Sequence, residues 1–150
     1  MAARDLPADR RAREDQGAPR LIPLPRIEDE RGSLSFVEAG DHVPFQIRRI
    51  YYLTGVPQGV RRGGHAHLTS EQLIVALAGS VRITVDTGVS RTAHTLDRTD
   101  VGLYIPALAW RELQDFSATA VCLVLSSQHY DASDYVHDFA EFLTRARGRP

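Results

Sequence analysis

Between Leu21 and about Ser127 no segment is long and periodic enough to be a core helix, and the chain breaks instead into short β-type runs closed by turn signals. The runs are Ser33 to Glu38, Gln46 to Leu53, Gln72 to Leu77, Val81 to Asp86, Arg91 to Leu96, Gly102 to Ile105 and Ala120 to Ser126. Gly and Asp punctuate them, as in Ala78-Gly79-Ser80 and Asp86-Thr87-Gly88. Many short strands at regular spacing predict an all-β sandwich or small barrel of jelly-roll type. Only the end departs from this pattern. Asp131 is placed to cap a helix, and Tyr135, Val136, Phe139, Phe142 and Leu143 recur at helical spacing, so a helix is predicted from 132 to about 145 with one face on the barrel. Residues 1–20 are dense in Arg, Asp, Glu, Ala and Pro and predict a disordered tail. Asp5, Asp9, Glu14 and Asp15 interleave there with Arg4, Arg10, Arg11 and Arg13, which argues against a basic anchoring arm. One domain, 21–150, remains.

A chain of 150 residues buries enough surface to hold such a core without staples. All 18 basic residues are arginine, yet the formal net charge is only -1, which argues against a general nucleic-acid binder. No apolar stretch approaches the ~20 residues of a membrane span, and the N-terminus lacks the apolar segment of a signal peptide. The single cysteine, Cys122, lies in an apolar run and has no partner for an internal disulfide, so a buried thiol and a reducing, cytoplasmic setting are expected.

The strongest chemical signal is His65-Ala66-His67 after Arg61-Arg62-Gly63-Gly64. On a strand, residues two apart share a face, so both imidazoles point together, a pairing suited to metal binding, to proton transfer, or to nothing more than a solvated strand edge. Gly59, His65, His67, Gln72 and Gly79 stand at the spacing of a known pattern, G-x5-H-x-H-x(3 or 4)-E-x6-G, and this segment resembles the first motif of the cupin superfamily. A second, degraded cupin motif runs from Gly102 to Arg111. The resemblance implies a cupin-type jelly roll. It also exposes two departures: Gln72 stands where the acidic ligand belongs, with Glu71 on the other face of the strand, and Arg111 stands where a third histidine belongs. A guanidinium neither deprotonates nor tolerates a neighbouring cation, so no metal is expected.

More narrowly, the chain from about Ile27 to Leu143 resembles the nucleotide-sugar 3,4-ketoisomerases of the WxcM-like group. The carriers are Asp29 to Leu34, Val43 to Tyr52, Arg62 to His67, Val101 to Pro106, Trp110, Asp115 to Ser117, and Tyr130 to Tyr135. Members usually read Trp-His where this chain has Trp110-Arg111. The resemblance implies a cofactor-free isomerase that moves the ketone of dTDP-4-keto-6-deoxyglucose from carbon 4 to carbon 3 through an enediolate. It also implies a homodimer with exchanged N-terminal strands. His67 is then the expected base, an order taken from the family, with His65 as its partner. Tyr51 is a candidate donor to the enediolate, although Tyr51 and Tyr52 face opposite ways on a strand and either could be the one that faces the site. Arg31 and Arg62 suit the diphosphate, Arg111 offers a third positive group, and Trp110 and Tyr104 are candidates to stack on thymine. His42, His94, His129 and His137 read as solvated. Two other readings stay open: a non-catalytic cupin that binds a nucleotide sugar, and a nucleotide-sugar epimerase that takes a proton beside the same ketone.

Overall fold

The computed structural model describes residues 17–149. Its strands are β1 (Arg20–Pro23), β2 (Arg26–Asp29), β3 (Gly32–Ser35), β4 (Arg49–Thr54), β5 (Arg62–His67), β6 (Gln72–Ala78), β7 (Val81–Asp86), β8 (Arg91–Leu96), β9 (Val101–Ile105), β10 (Trp110–Gln114), β11 (Val121–Ser126) and β12 (Tyr135–Val136). A 3-10 turn at Ala132–Asp134 precedes β12, and one helix, α1 (Phe139–Arg147), closes the chain. The strands form two five-stranded antiparallel sheets, β1-β9-β6-β11-β4 and β12-β5-β10-β7-β8, with β2 and β3 as a separate hairpin. The fold is thus the expected all-β sandwich with a C-terminal helix.

Alternation along each strand decides which residues meet between the sheets. Ile74 and Ala76 of β6, Ile83 and Val85 of β7, Leu103 and Ile105 of β9, Leu113 of β10, and Cys122 and Val124 of β11 make the interlayer core. Cys122 is fully buried there, and burial pushes its thiol up to about 11. Leu73, Val75, Tyr104 and Leu125 point out of the other face of the first sheet and are covered by Leu24, Val43 and Phe45. Strand β6 is therefore buried on both sides, which explains its unbroken apolar run. Toward one end of the barrel the inward rows turn polar: Ile74 gives way to Gln72, Leu113 to Arg111, Val124 to Ser126 and Leu53 to Tyr51 and Arg49. A jelly roll closed at one end by aliphatic packing and lined at the other by polar side chains results.

The predicted helix over 132–145 is a correction. Asp131 caps only the 3-10 turn, its carboxylate accepting from the Ser133 N–H. Tyr135 and Val136 are then drawn into β12 because β5 offers an open edge, pairing Tyr135 with His67 and Val136 with Ala66. The helix starts later, at Asp138, whose carboxylate accepts from the Glu141 N–H. Arg20, expected in the N-terminal tail, instead pairs with Tyr104 in β1, with its guanidinium over the Tyr104 ring, and residues 1–16, where the rest of that expectation falls, lie outside the described residues. Strands β1, β2, β5, β10 and β12 have no counterpart among the predicted runs. Phe142 anchors α1, fully buried against Trp110, Ala66 and Val136 on the outer face of the second sheet. Phe142→Ala is expected to cost about 3–5 kcal/mol, read as a fall in the urea midpoint at unchanged slope.

Candidate active site

The arrangement of the polar end starts from an extra residue in β5. Arg111 pairs with His65 while its neighbour Glu112 pairs with Gly63, so Gly64 is a bulge. Gly63 and Gly64 hold φ of 82° and 70°, and a side chain at Gly63 would sit 2.9 Å from the Arg111 carbonyl. Glycine is therefore required at Gly63 on both counts. Without the bulge the strand would turn over, and the two histidines would leave the interior. With it, His65 and His67 face inward beside Arg111, and β12 sets Tyr135 next to His67 on the same side.

The two imidazoles meet edge to face, with ring centroids 5.0 Å apart, and the Tyr135 ring lies 4.4 Å from His67 and 4.9 Å from His65. His67 Nδ1 is 3.0 Å from an oxygen of Asp134, which also accepts from the Thr69 N–H and hydroxyl and from the Ser70 hydroxyl. Arg111 is 1% exposed, the largest fully buried side chain among the described residues. Its Nη1 donates to Gln72 Oε1, an oxygen that also accepts from the Tyr51 hydroxyl at 3.5 Å. Burial, and next the positive charge of Arg111, push His65 down to about 4 and His67 down to about 3, so both rings are neutral at physiological pH. Burial lowers Arg111 as well. Burial raises the Asp134 carboxyl, but the Ser70 and Thr69 hydrogen bonds outweigh it and leave Asp134 ionised. Five polar atoms of the site, His65 Nε2, His67 Nε2, Gln72 Nε2, Arg111 Nε and Arg111 Nη2, are buried with no hydrogen-bond partner among the described residues.

Tyr51, Arg62, His65 and Arg111 line one cavity of about 70 Å³ together with Leu53, Ile74, Leu113 and Val124. A divalent cation does not fit this donor set: a guanidinium stands among the two imidazoles, and Glu71 turns outward to accept from the Tyr104 hydroxyl.

Four expected site residues lie elsewhere. Tyr52 is 68% exposed on the outer side of β4, because alternation gives the inner side to Tyr51. Trp110 precedes Arg111 and so faces outward, packed against Phe139 and Phe142 under α1. Tyr104 is buried in the outer cluster of the first sheet, where burial and Glu71 raise its phenol. Arg31 sits on the turn of the β2–β3 hairpin, 85% exposed at its side chain and paired with Asp29. Conversely, the geometry adds residues that the pattern of short runs did not single out. Asp134 and Tyr135 were assigned to a helix, and the sequence signal that separates them from it is the second cap, Asp138 with Glu141 three residues on. His137, read as solvated, is exposed but stacks on Tyr135 and reaches 5.9 Å from His65. Arg49 stands at the mouth between the Tyr51 and Tyr130 rings, at 5.1 and 5.5 Å.

Comparison with known proteins places this geometry. The family described as FdtA: WxcM-like, C-terminal matches residues 18–147. A TDP-4-oxo-6-deoxy-α-D-glucose-3,4-oxoisomerase of Aneurinibacillus thermoaerophilus is 40% identical over 123 residues, covering 82% of this chain and 88% of the relative. A histidine-to-asparagine variant of the QdtA 3,4-ketoisomerase of Thermoanaerobacterium thermosaccharolyticum, solved with TDP-4-keto-6-deoxyglucose, superposes with TM-score 0.84 at 36% identity, covering 87% of this chain and 95% of that one. The WlaRB TDP-quinovose 3,4-ketoisomerase of Campylobacter jejuni gives TM-score 0.81 at 40% identity, covering 83% and 96%. The family match takes in every described strand and the whole of α1, and the chain belongs to the FdtA family of WxcM-like proteins.

Proposed function

We propose that this protein is a sugar 3,4-ketoisomerase that converts dTDP-4-keto-6-deoxyglucose to a dTDP-3-keto-6-deoxyhexose without a cofactor. The observation that carries the reading is the pair of neutral, inward-facing imidazoles of His65 and His67 beside the buried Arg111. Ketone migration needs a base for the carbon 3 proton, and a neutral imidazole is one. His67 takes that proton, and the C–H electron pair becomes the double bond between carbons 3 and 4 while the carbon 4 oxygen gains negative charge. The proton of the carbon 3 hydroxyl then passes by way of His65 to the carbon 4 oxygen, the carbon 3 oxygen becomes the new carbonyl, and carbon 4 takes up one proton in place of the one His67 removed. No electrons leave the sugar.

Arg111 supplies the countercharge to the enediolate. None of the ion pairs among the described residues engages it, so its charge is free to act on an anion that forms beside it. Tyr51, whose hydroxyl shares Gln72 Oε1 with Arg111, is the second donor. A cavity of about 70 Å³ admits the reacting edge of a hexose, so the nucleotide lies along the mouth, where Arg62 meets the diphosphate. Arg31 is remote from the cavity of its own chain and serves the site of a second copy in a cytoplasmic homodimer with exchanged N-terminal strands. The exposed apolar residues Ile50, Tyr52 and Leu77 on the outer face of the first sheet support that assembly.

Four outcomes are expected. In deuterated water, NMR of the nucleotide sugar should show net migration of the ketone; deuterium at carbon 5 alone would indicate an epimerase, and binding with an unchanged spectrum a silent cupin. His67→Asn should abolish turnover while thymidine diphosphate still binds. The pH profile of kcat/KM should lack a limb near 6.5, because both histidines protonate only at about 4 and about 3 in the free protein. Light scattering should return a dimer, and Ile50→Glu should shift it toward monomer.

A further inference from the structure

One buried carboxylate contributes nothing to the scheme above, and its surroundings define its state. Asp134 closes the 3-10 turn directly before β12 and is 7% exposed. One of its oxygens accepts from the Thr69 N–H at 2.8 Å and the Thr69 hydroxyl at 2.7 Å. The other accepts from the Ser70 hydroxyl at 2.6 Å and the Ser70 N–H at 3.3 Å, and lies 3.0 Å from His67 Nδ1. Four donors converge on a group that, ionised, only accepts. The hydrogen between Asp134 and His67 therefore belongs to the imidazole.

We propose that Asp134 is a positioning residue that holds His67 in the Nδ1–H tautomer and thereby turns the Nε2 lone pair toward the substrate. The inference rests on the isomerase reading. Two independent features support it. His67 Nε2 is buried with no hydrogen-bond partner among the described residues, so the nitrogen left over from the Asp134 contact is the one free to take a proton. The pairing of Tyr135 with His67 places Asp134 one residue before a strand locked onto β5, which fixes the distance between carboxylate and ring. The same carboxylate steadies the imidazolium once His67 has taken a proton, the form that Arg111 and His65 oppose.

The tautomer is read directly by nitrogen-15 NMR of histidine-labelled protein: His67 should carry its hydrogen on Nδ1, and an Nε2–H tautomer overturns the proposal. Asp134→Asn should lower kcat on the order of 10²–10⁴-fold with KM and thymidine diphosphate affinity held within about threefold. It should also move the His67 hydrogen to Nε2. A folded Asp134→Asn protein with kcat within about threefold of the parent would falsify the role, even where His67→Asn is dead and the isomerase reading stands. Should the asparagine variant fail to fold, Ser70→Ala removes one donor and raises the Asp134 carboxyl. The acid limb of kcat then moves to higher pH, and an unmoved limb counts against the proposal. The groups that face His67 and shape that limb are Asp134, His65, Arg111 and Tyr135. Absence of isomerisation by the parent protein, with the Nδ1–H tautomer present, would instead remove the isomerase reading and leave the Asp134–His67 pair intact.

Discussion

The site depends on one extra residue in β5. Gly64 lets β5 take two steps while β10 takes one, and that single offset puts His65 and His67 on the interior face, with His65 paired to Arg111. The left-handed backbone at Gly63 and Gly64 and the close approach to the Arg111 carbonyl leave little choice of side chain. Everything downstream follows from this offset: the pairing of β12 with the end of β5, the arrival of Tyr135 over His67, and the delivery of Asp134 to its ring nitrogen. A run that reads Arg-Gly-Gly-His-Ala-His is, physically, a hinge followed by two aligned side chains.

Electrostatically the polar end is a cluster in which one permanent charge dominates its neighbours. Arg111 is buried, and its charge together with desolvation keeps two imidazoles neutral that would be half protonated near neutrality in water. The arrangement is costly for the resting protein, since a buried guanidinium prefers a carboxylate. It suits a reaction in which negative charge appears next to that guanidinium as a proton arrives on the imidazole. Asp134, at the Nδ1 edge of His67, is kept ionised by Thr69 and Ser70.

Much of this was legible in the sequence, and the gaps have physical causes. Val81 to Asp86 and Arg91 to Leu96 match β7 and β8 at both ends because alternation and flanking turns agree there. That His65 and His67 share a face followed from period two, whereas the choice of the interior face did not, because it rests on the pairing of β5 with β10. Whether Tyr51 or Tyr52 faces inward was open, since both residues are equally at home in a strand, and the pairing of β4 with β11 settled it for Tyr51. Tyr104 and Trp110 misled for a different reason: each neighbours a site strand position, but an aromatic one residue off register lands on the opposite face and becomes packing. Asp134 was hidden by a tertiary effect, because residues 135–136 have helical spacing with the residues of α1 and only the open edge of β5 makes them a strand.

The outward orientation of Trp110 bears on how this protein can be observed. It is the only tryptophan in the chain, and its indole is wedged between the second sheet and Phe139 and Phe142 of α1, separated from the histidines by the thickness of a strand. Its fluorescence is thus a gauge of helix docking, with emission that reddens when α1 lifts away and stays nearly constant as a sugar enters on the other side of β10.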